Sequence, residues 1–327
     1  MKHFLLLGDY MLNAGPSNVN RSFIGNSDGS LIYVRNKTRF FRKLESISKC
    51  IFCNTIVFSG NTSRLELMIA RILRKRIIYI MHGCGKYEND INKLGLTAKD
   101  LRGEKNLMEK ANVIIAVSER YAEWVKNRFS KYDNKITFVN NGLDIKRHHT
   151  VYHHGSDNYF LIAVSGGDRP IKCNLDVCKA VEKLNQKGYQ IQICAFGRSY
   201  PYGEPIFDYP FVERMGHMDK DEYYKKLESV DLMVVNSEVE PFGLVVGDAL
   251  NCGCSLLMSK NVGALSIFER LSAEDVVEDN HNIDELAGKI EYLLKHSNAE
   301  RLYESVDKEK CSNRQAYLNL KRICINE

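Results

Sequence analysis

Proline is scarce in this chain, with six residues in 327, and tryptophan occurs once. So little proline beside 44% hydrophobic and 27% charged residues excludes both a fibrous chain and a disordered one. No stretch approaches the roughly 20 apolar residues that a membrane helix needs. The N-terminal MKHFLLLGDY has only a short apolar run before Gly8 and Asp9, too short for the core of a signal peptide and better suited to a buried first strand. The chain is therefore expected in the cytoplasm, with any membrane contact peripheral. There is no P-loop. Gly8 and Gly15 stand too far apart for a G-x-G-x-x-G fingerprint after the first strand, which argues against a dinucleotide-dependent dehydrogenase.

Ten cysteines without a secretion signal read as reduced thiols, several of them buried as small hydrophobes. Cys50 with Cys53 and Cys252 with Cys254 form the close pairs, in helical and strand-like surroundings that do not suit a zinc site. His148, His149, His153 and His154 crowd one polar stretch, which reads as a solvated linker before a metal site. The net charge of +5 conceals an asymmetry. Residues 1–150 hold 26 Lys and Arg against 13 carboxylates, and residues 151–327 hold 20 against 28. A basic first half favours an anionic surface, either phospholipid headgroups or nucleic acid, although RILRKR (Arg71 to Arg76) is its only dense basic run.

Short β-branched runs alternate with helical patterns. HFLLL, LIYV, TIVFS, RIIYIM, VIIAVS and KITFV read as strands, and SRLELMIARIL and SERYAEWVKNRF as helices between them. After Asn141-Gly142 the pattern loosens through residues 145–157 and then restarts with YFLIAVS, YQIQICAF, DLMVVNS and CSLLMS as strands. Helices are predicted near 174–187, 219–228, 243–252 and 282–296. This order implies two doubly wound α/β domains with a cleft between them, whose ligands lie beyond the carboxyl ends of the strands.

Two loops there carry chemistry. In VSGGDRPIKCN, Gly166 and Gly167 let the backbone approach a ligand, and Arg169 and Lys172 place two cations at the mouth of a helix, which favours phosphate; alone, the loop reads equally well as a plain turn. In SEVEPFGLVVGDALNCG, Pro241 and Gly243 make a turn into a helix, with Glu240 just before it and Asp248 about two turns inside. The N–H groups of Phe242, Gly243 and Leu244 would face the same phosphates. Carboxylates beside a diphosphate are better suited to accepting hydrogen bonds from hydroxyls, one at each end of the ligand. A diphosphate with hydroxyl-bearing groups at both ends is a nucleotide-sugar.

SEVEPFGLVVGDALNCGCSLLMSKNVGA resembles the signature of retaining glycosyltransferases of the GT-B fold, especially glycosyltransferase family 4, whose motif sets two glutamates with seven residues between them. ANVIIAVSERYAEWVKNRF, NKITFVNNGLD and GGDRPIKCN follow the family's order, so the resemblance covers nearly the whole chain. It implies a GT-B architecture of two doubly wound Rossmann-like domains facing a central cleft: an acceptor domain at 1–150, a nucleotide-sugar domain at 158–304, and a C-terminal helix at 305–327 packing back on the first.

The resemblance also implies roles. Glu240 would hold hydroxyls of the transferred sugar, and Asp248, where the family usually has Glu, would hold the ribose. Arg169 and Lys172 would grip the diphosphate and stabilise the leaving group. His82 in IMHGCG would lie near the donor sugar, Gly15 in the loop over the donor phosphates or the acceptor, and Arg214 to His217 along the nucleobase pocket. Domain closure would bring His82 toward Glu240. The implied reaction is metal-independent, cofactor-free hexosyl transfer with retention, the leaving diphosphate serving as base. The expected donor is a UDP-sugar, or else a GDP-sugar. The acceptor would be a saccharide, lipid-linked to suit the basic first half at the inner face of the membrane, in bacterial capsule, lipopolysaccharide or a similar glycan. Nucleic acid is not an expected partner, since no stacking platform or known module occurs. The alternative is a catalytically silent GT-B subunit that stabilises an active partner.

Overall fold

The computed structural model describes residues 3–12, 14–60, 64–146, 159–216 and 218–325; the histidine-rich stretch and His217 lie outside them. The chain divides into two compact units, one of Met1–Tyr87, Gly95–Leu143 and Glu309–Glu327, the other of Glu88–Leu94 and Asp144–Lys308.

The first unit holds β1 (Phe4–Leu7), β2 (Leu31–Tyr33), β3 (Thr55–Ser59), β4 (Arg76–Met81), β5 (Val113–Ala116) and β6 (Ile136–Phe138), all parallel in the order β2-β1-β3-β4-β5-β6. Between them run α1 (Gly15–Gly25), α2 (Arg39–Phe52), α3 (Arg64–Ile72), α4 (Gly85–Asn92), which from Glu88 onward belongs to the second unit, α5 (Ala98–Lys110) and α6 (Glu119–Arg128). The central strands are apolar through their middles because helices cover a parallel sheet on both faces, and Ile56, Val57, Ile78 and Ile114 are fully buried.

The second unit holds β7 (Tyr159–Ser165), α7 (Asn174–Gln186), β8 (Gln190–Phe196), β9 (Val212–Gly216), α8 (Lys220–Leu227), β10 (Leu232–Val235), α9 (Val245–Cys252), β11 (Ser255–Ser259), β12 (Val276–Val277), α10 (Ile283–Lys295) and α11 (Ala299–Glu304). Its sheet is also parallel, in the order β12-β11-β10-β7-β8-β9. Val177, Val181 and Leu184 of α7 join Leu286 and Ile290 of α10 in one core over Ile162, Ile191 and Ile193. Each such side chain contributes about 1.5–3 kcal/mol on burial. The final helix, α12 (Asn313–Ile325), belongs to the first unit, where the buried Tyr317 hydroxyl meets Ser30 Oγ at 2.8 Å and donates to Asp28 Oδ1 at 2.7 Å.

Strand order reverses between β1 and β3 in one sheet and between β7 and β10 in the other. Ligand crevices of doubly wound sheets open at such switch points, beyond the carboxyl ends of the strands. In the first unit Gly8 follows β1, Ser59 is the last residue of β3, and His82 follows the next strand, β4; the Gly166 and Glu240 loops follow the strand ends in the second.

Candidate active site

The loop after β7 is fixed by its own backbone. Gly167 has φ +61°, and a Cβ there would lie 2.2 Å from the Arg198 carbonyl oxygen, so only glycine lets this loop touch the one after β8. The Gly167 amide donates to Phe196 O at 2.9 Å, and its carbonyl accepts from Asn174 Nδ2 at 2.7 Å. Both bonds hold the loop in shape. The short 3-10 turn Pro170–Lys172 follows and carries both expected cations. The Arg169 guanidinium lies 5.6 Å from the Tyr200 ring centre, and its buried Nε has no partner among the described residues. Lys172 Nζ pairs with Glu240 Oε2, both side chains being largely buried.

Glu240 is held from its backbone. Its amide donates to Asn261 O at 3.2 Å, and its carbonyl accepts from Gly263 N at 2.9 Å, a one-residue parallel bridge to Val262 in the loop after β11. Ser237 Oγ donates to the Glu240 carboxylate at 3.4 Å. Beyond it, Gly243 takes φ +96°, which no helix tolerates, so α9 starts at Val245 instead of the predicted 243. Asp248 consequently sits in the first turn of α9, not two turns inside it. Among the described residues the amides of Phe242, Gly243 and Leu244 donate to no acceptor, so the start of α9 presents N–H groups suited to an anion.

A third carboxylate reaches this cluster. Asn92, at the end of α4, accepts from the Ile171 amide at 3.0 Å and so ties the helix to the turn that carries Lys172. Glu88 stands one turn earlier on the same helix. Burial pushes the Glu88 carboxyl up and the Glu240 charge adds to that, against the opposing pull of Arg169 and Lys172. Nothing in the linear pattern marks Glu88 or Asn92, since only the fold sets residues 88–94 beside 169–172.

Asp248 accepts from the Tyr224 hydroxyl at 2.5 Å. Burial raises its carboxyl above the ordinary range although hydrogen bonds from Tyr224 and Tyr223 and the charge of Lys220 oppose the shift. The adjacent tyrosines in DEYYKK are the signal that could have located this pair. Arg214 lies on the edge strand β9, its guanidinium 4.0 Å from the Phe207 ring centre. The structure therefore brings Lys172, Glu240, Arg169 and Glu88 together, with the start of α9 alongside, and gives Arg214 an aromatic partner elsewhere on the unit.

In the first unit a chain of hydrogen bonds runs along the switch point. Asn20 Nδ2 donates to Asp9 O at 2.7 Å, Ser59 Oγ donates to Asn20 Oδ1 at 2.6 Å, and His82 Nε2 lies 2.7 Å from that same Ser59 oxygen. Because the Ser59 proton goes to Asn20, His82 must donate from Nε2, which leaves Nδ1 as the acceptor of a neutral ring. Burial lowers the His82 pKa from the ordinary 6.5 to about 4, consistent with that neutral form. Gly15 is the first residue of α1, with Pro16 behind it and no side-chain cap from Ala14, so it opens a helix instead of lying within a loop.

Asp219-Lys220-Asp221 has the spacing of a metal-binding Asp-x-Asp motif. The Asp219 carboxylate caps α8, accepting from the amides of Asp221 at 3.0 Å and Glu222 at 2.9 Å. Elsewhere Cys173, Asp176 and His281 bring ligand-type atoms within 4.8 Å of one another, with His281 Nδ1 2.8 Å from Asp176 Oδ2.

Residues 153–309 match the family model for glycosyl transferases group 1, and residues 54–147 the model for glycosyltransferase family 4. Among solved structures, HepE of Anabaena in complex with UDP and glucose is similar with a TM-score of 0.69 at 15% identity, covering 100% of both chains. Sucrose-phosphate synthase from Thermosynechococcus elongatus has a TM-score of 0.70 at 14% identity, covering 100% of this chain and 99% of that one. The lipopolysaccharide outer core galactosyltransferase WaaB in its apo form gives 0.64 at 13%, over 100% and 99%. At these identities the likeness is one of fold. No curated protein matches the chain. No helix of the described residues is long and apolar enough to cross a membrane.

Proposed function

Since the chain belongs to the group 1, family 4 glycosyltransferases and has their GT-B fold, we propose that it is a retaining hexosyltransferase. It moves a sugar from a nucleotide-sugar, a UDP-sugar before a GDP-sugar, onto a lipid-linked saccharide of a bacterial surface glycan. The second unit takes the donor and the first the acceptor.

The observation that carries this reading is the buried Lys172–Glu240 pair beside the unpartnered amides of Phe242, Gly243 and Leu244, at the switch point of the second sheet. Without donor the two side chains neutralise each other. An incoming diphosphate accepts from the amides and draws Lys172 and Arg169 to its oxygens, which frees Glu240 to accept from sugar hydroxyls. As the sugar–phosphate bond lengthens, positive charge grows on the sugar beside Glu240 and negative charge on the diphosphate beside the two cations. The departing diphosphate, on the same face as the incoming hydroxyl, takes its proton, and configuration is retained. The cations and amides do the work a metal does in other sugar transferases, and no cofactor is needed. Asp248 holds the ribose. UDP is favoured because HepE structures contain UDP and UDP-glucose, and a lipid-linked acceptor because WaaB and WaaG act in lipopolysaccharide synthesis.

The test is release of nucleoside diphosphate from a panel of UDP- and GDP-sugars, with the anomeric configuration of the product read by NMR. Lys172→Ala and Glu240→Gln should each lower turnover by about 10²-fold or more. The double variant should lose little beyond either single one, because the two act as a unit. No turnover across the panel, with nucleotide affinity unmoved by Glu240→Gln, would instead point to a silent subunit.

A further inference from the structure

A surface helix ordinarily turns its apolar residues to the core and its charges to water. Helix α2 buries only Ser46 and Cys50 fully and turns most of its large apolar side chains outward. Its inner face meets α3 through a polar network: Ser46 Oγ donates to Glu66 Oε1 at 2.5 Å and Lys43 Nζ to Glu66 Oε2 at 2.6 Å, with Glu66 itself only 4% exposed. Outward go Phe40 at 69%, Phe41 at 59% and Phe52 at 81% exposure, with Leu44 and Ile51 between them. The neighbouring α3 continues the pattern, exposing Met68 and Ile72. Burying charge and leaving large apolar side chains in water is costly on both counts, and it marks a face made for an apolar partner.

The charge around this face identifies the partner. Residues 35–76 carry eleven Lys and Arg and only two carboxylates. Both carboxylates are engaged: Glu66 as above, and Glu45 by Lys49 and by the amides of Arg35 and Asn36. Beside α3 opens a groove toward α5, lined by Arg64, Arg71 and Lys110 together with Met68 and Ile72, three cations over an apolar floor. Groove cations beside Met68 and Ile72, with the exposed phenylalanines on the neighbouring α2, match a surface that is anionic on top and hydrocarbon beneath. Nucleic acid would supply the charge but no place for Leu44, Ile51, Met68 and Ile72, which have no ring to stack on bases.

We propose that the outward face of α2 and α3 docks on an anionic phospholipid bilayer, with Phe40, Phe41 and Phe52 entering the headgroup boundary and the groove cations holding lipid phosphates. This deepens the reading of a lipid-linked acceptor by naming the surface that brings the enzyme to it, and the surface itself rests on exposure and charge alone.

Vesicle co-sedimentation tests it. The full chain should bind vesicles containing phosphatidylglycerol at least tenfold more tightly than phosphatidylcholine vesicles, and high salt should weaken that binding. The variant Phe40→Ser/Phe41→Ser/Phe52→Ser and the variant Arg64→Gln/Arg71→Gln/Lys110→Gln should each lose at least tenfold. In an otherwise intact chain, Phe41→Trp should shift to the blue with anionic vesicles and be quenched by brominated acyl chains, a readout independent of whether the triple variants fold. No binding at low salt, binding unchanged in both variants, or self-association lost in the serine variant without any vesicle binding would overturn the proposal. Nucleotide-sugar turnover is measured on the same samples. Turnover without vesicle binding sinks the docking face alone, and vesicle binding without turnover sinks the transferase reading alone.

Discussion

Asp248 illustrates how one methylene can be read two ways. Its family position usually holds glutamate, and a shorter acid could merely be a compromise in reach. In the structure the gap is filled, because the Tyr224 hydroxyl donates to Asp248 at 2.5 Å. A longer side chain would displace that tyrosine or overpack the site, at a cost of typically about 1–3 kcal/mol. Asp248→Glu should therefore leave nucleotide affinity unchanged or lower it up to tenfold, measured by calorimetry with UDP; tighter binding would mean that aspartate is the compromise. His82 gives a second prediction at this scale. Its folded pKa of about 4 lies below the ordinary 6.5, so the unfolded chain takes up a proton first as pH falls. The neutral ring's contribution is complete above about 6.5 and is lost down to about 4, at up to ~1.4 kcal/mol per pH unit for one proton. Urea unfolding across that range should show His82→Gln falling less steeply than the parent; equal slopes would mean that the ring is protonated in the folded chain.

Among the elements, what the sequence made legible follows from which face each segment buries. The strands β1, β3, β4, β5, β7, β10 and β11 are largely apolar runs that burial on both faces requires, β8 alternates exposed Gln190 and Gln192 with buried Ile191 and Ile193, and α7 and α10 carry the helical stripe. Strand β9 was read only as pocket lining, because on an edge it exposes Glu213 and Arg214 and shows no apolar run. Helix α2 is amphipathic in its spacing, but which of its sides faces in is set by the fold, and the outward apolar side is what the docking face rests on. Helix α1 begins Gly-Pro-Ser-Asn, a turn-like composition that buried Ser17 and Asn20 turn to hydrogen bonding. The site was legible where its residues are close in sequence, as with Glu240 and Asp248. It was illegible where the fold makes the contact, as with Glu88 and the Lys172 turn. Gly167 shows the same limit, since its need for glycine comes from a loop 31 positions on, at Arg198. Gly167→Ala should cost roughly 2–5 kcal/mol, from a left-handed backbone and a Cβ inside a carbonyl's radius. Chemical denaturation would measure it, and a loss under 1 kcal/mol would mean that the two loops part easily.

At the scale of the whole molecule, the chain leaves the first unit, builds the second and returns, so that α12 completes a sheet unit begun more than 250 residues earlier. The return is fastened by polar groups with few alternatives. Tyr317 is fully buried with its hydroxyl on Asp28 and Ser30, Lys321 pairs with Asp28 at 2.7 Å, and the Cys324 carbonyl accepts from Thr55 Oγ1 at 3.1 Å on β3. Removing only the hydroxyl, in Tyr317→Phe, strands two partners and should cost about 1–3 kcal/mol. The chain's single tryptophan, Trp124, lies on α6 and so reports on the first unit alone, while far-UV circular dichroism reports on both. In the Tyr317→Phe variant the fluorescence transition should move to lower denaturant, while the later part of the dichroism transition stays in place and still shifts upward on adding UDP, which the second unit binds under the proposed function. Coincident movement of both signals would mean that the two units unfold as one.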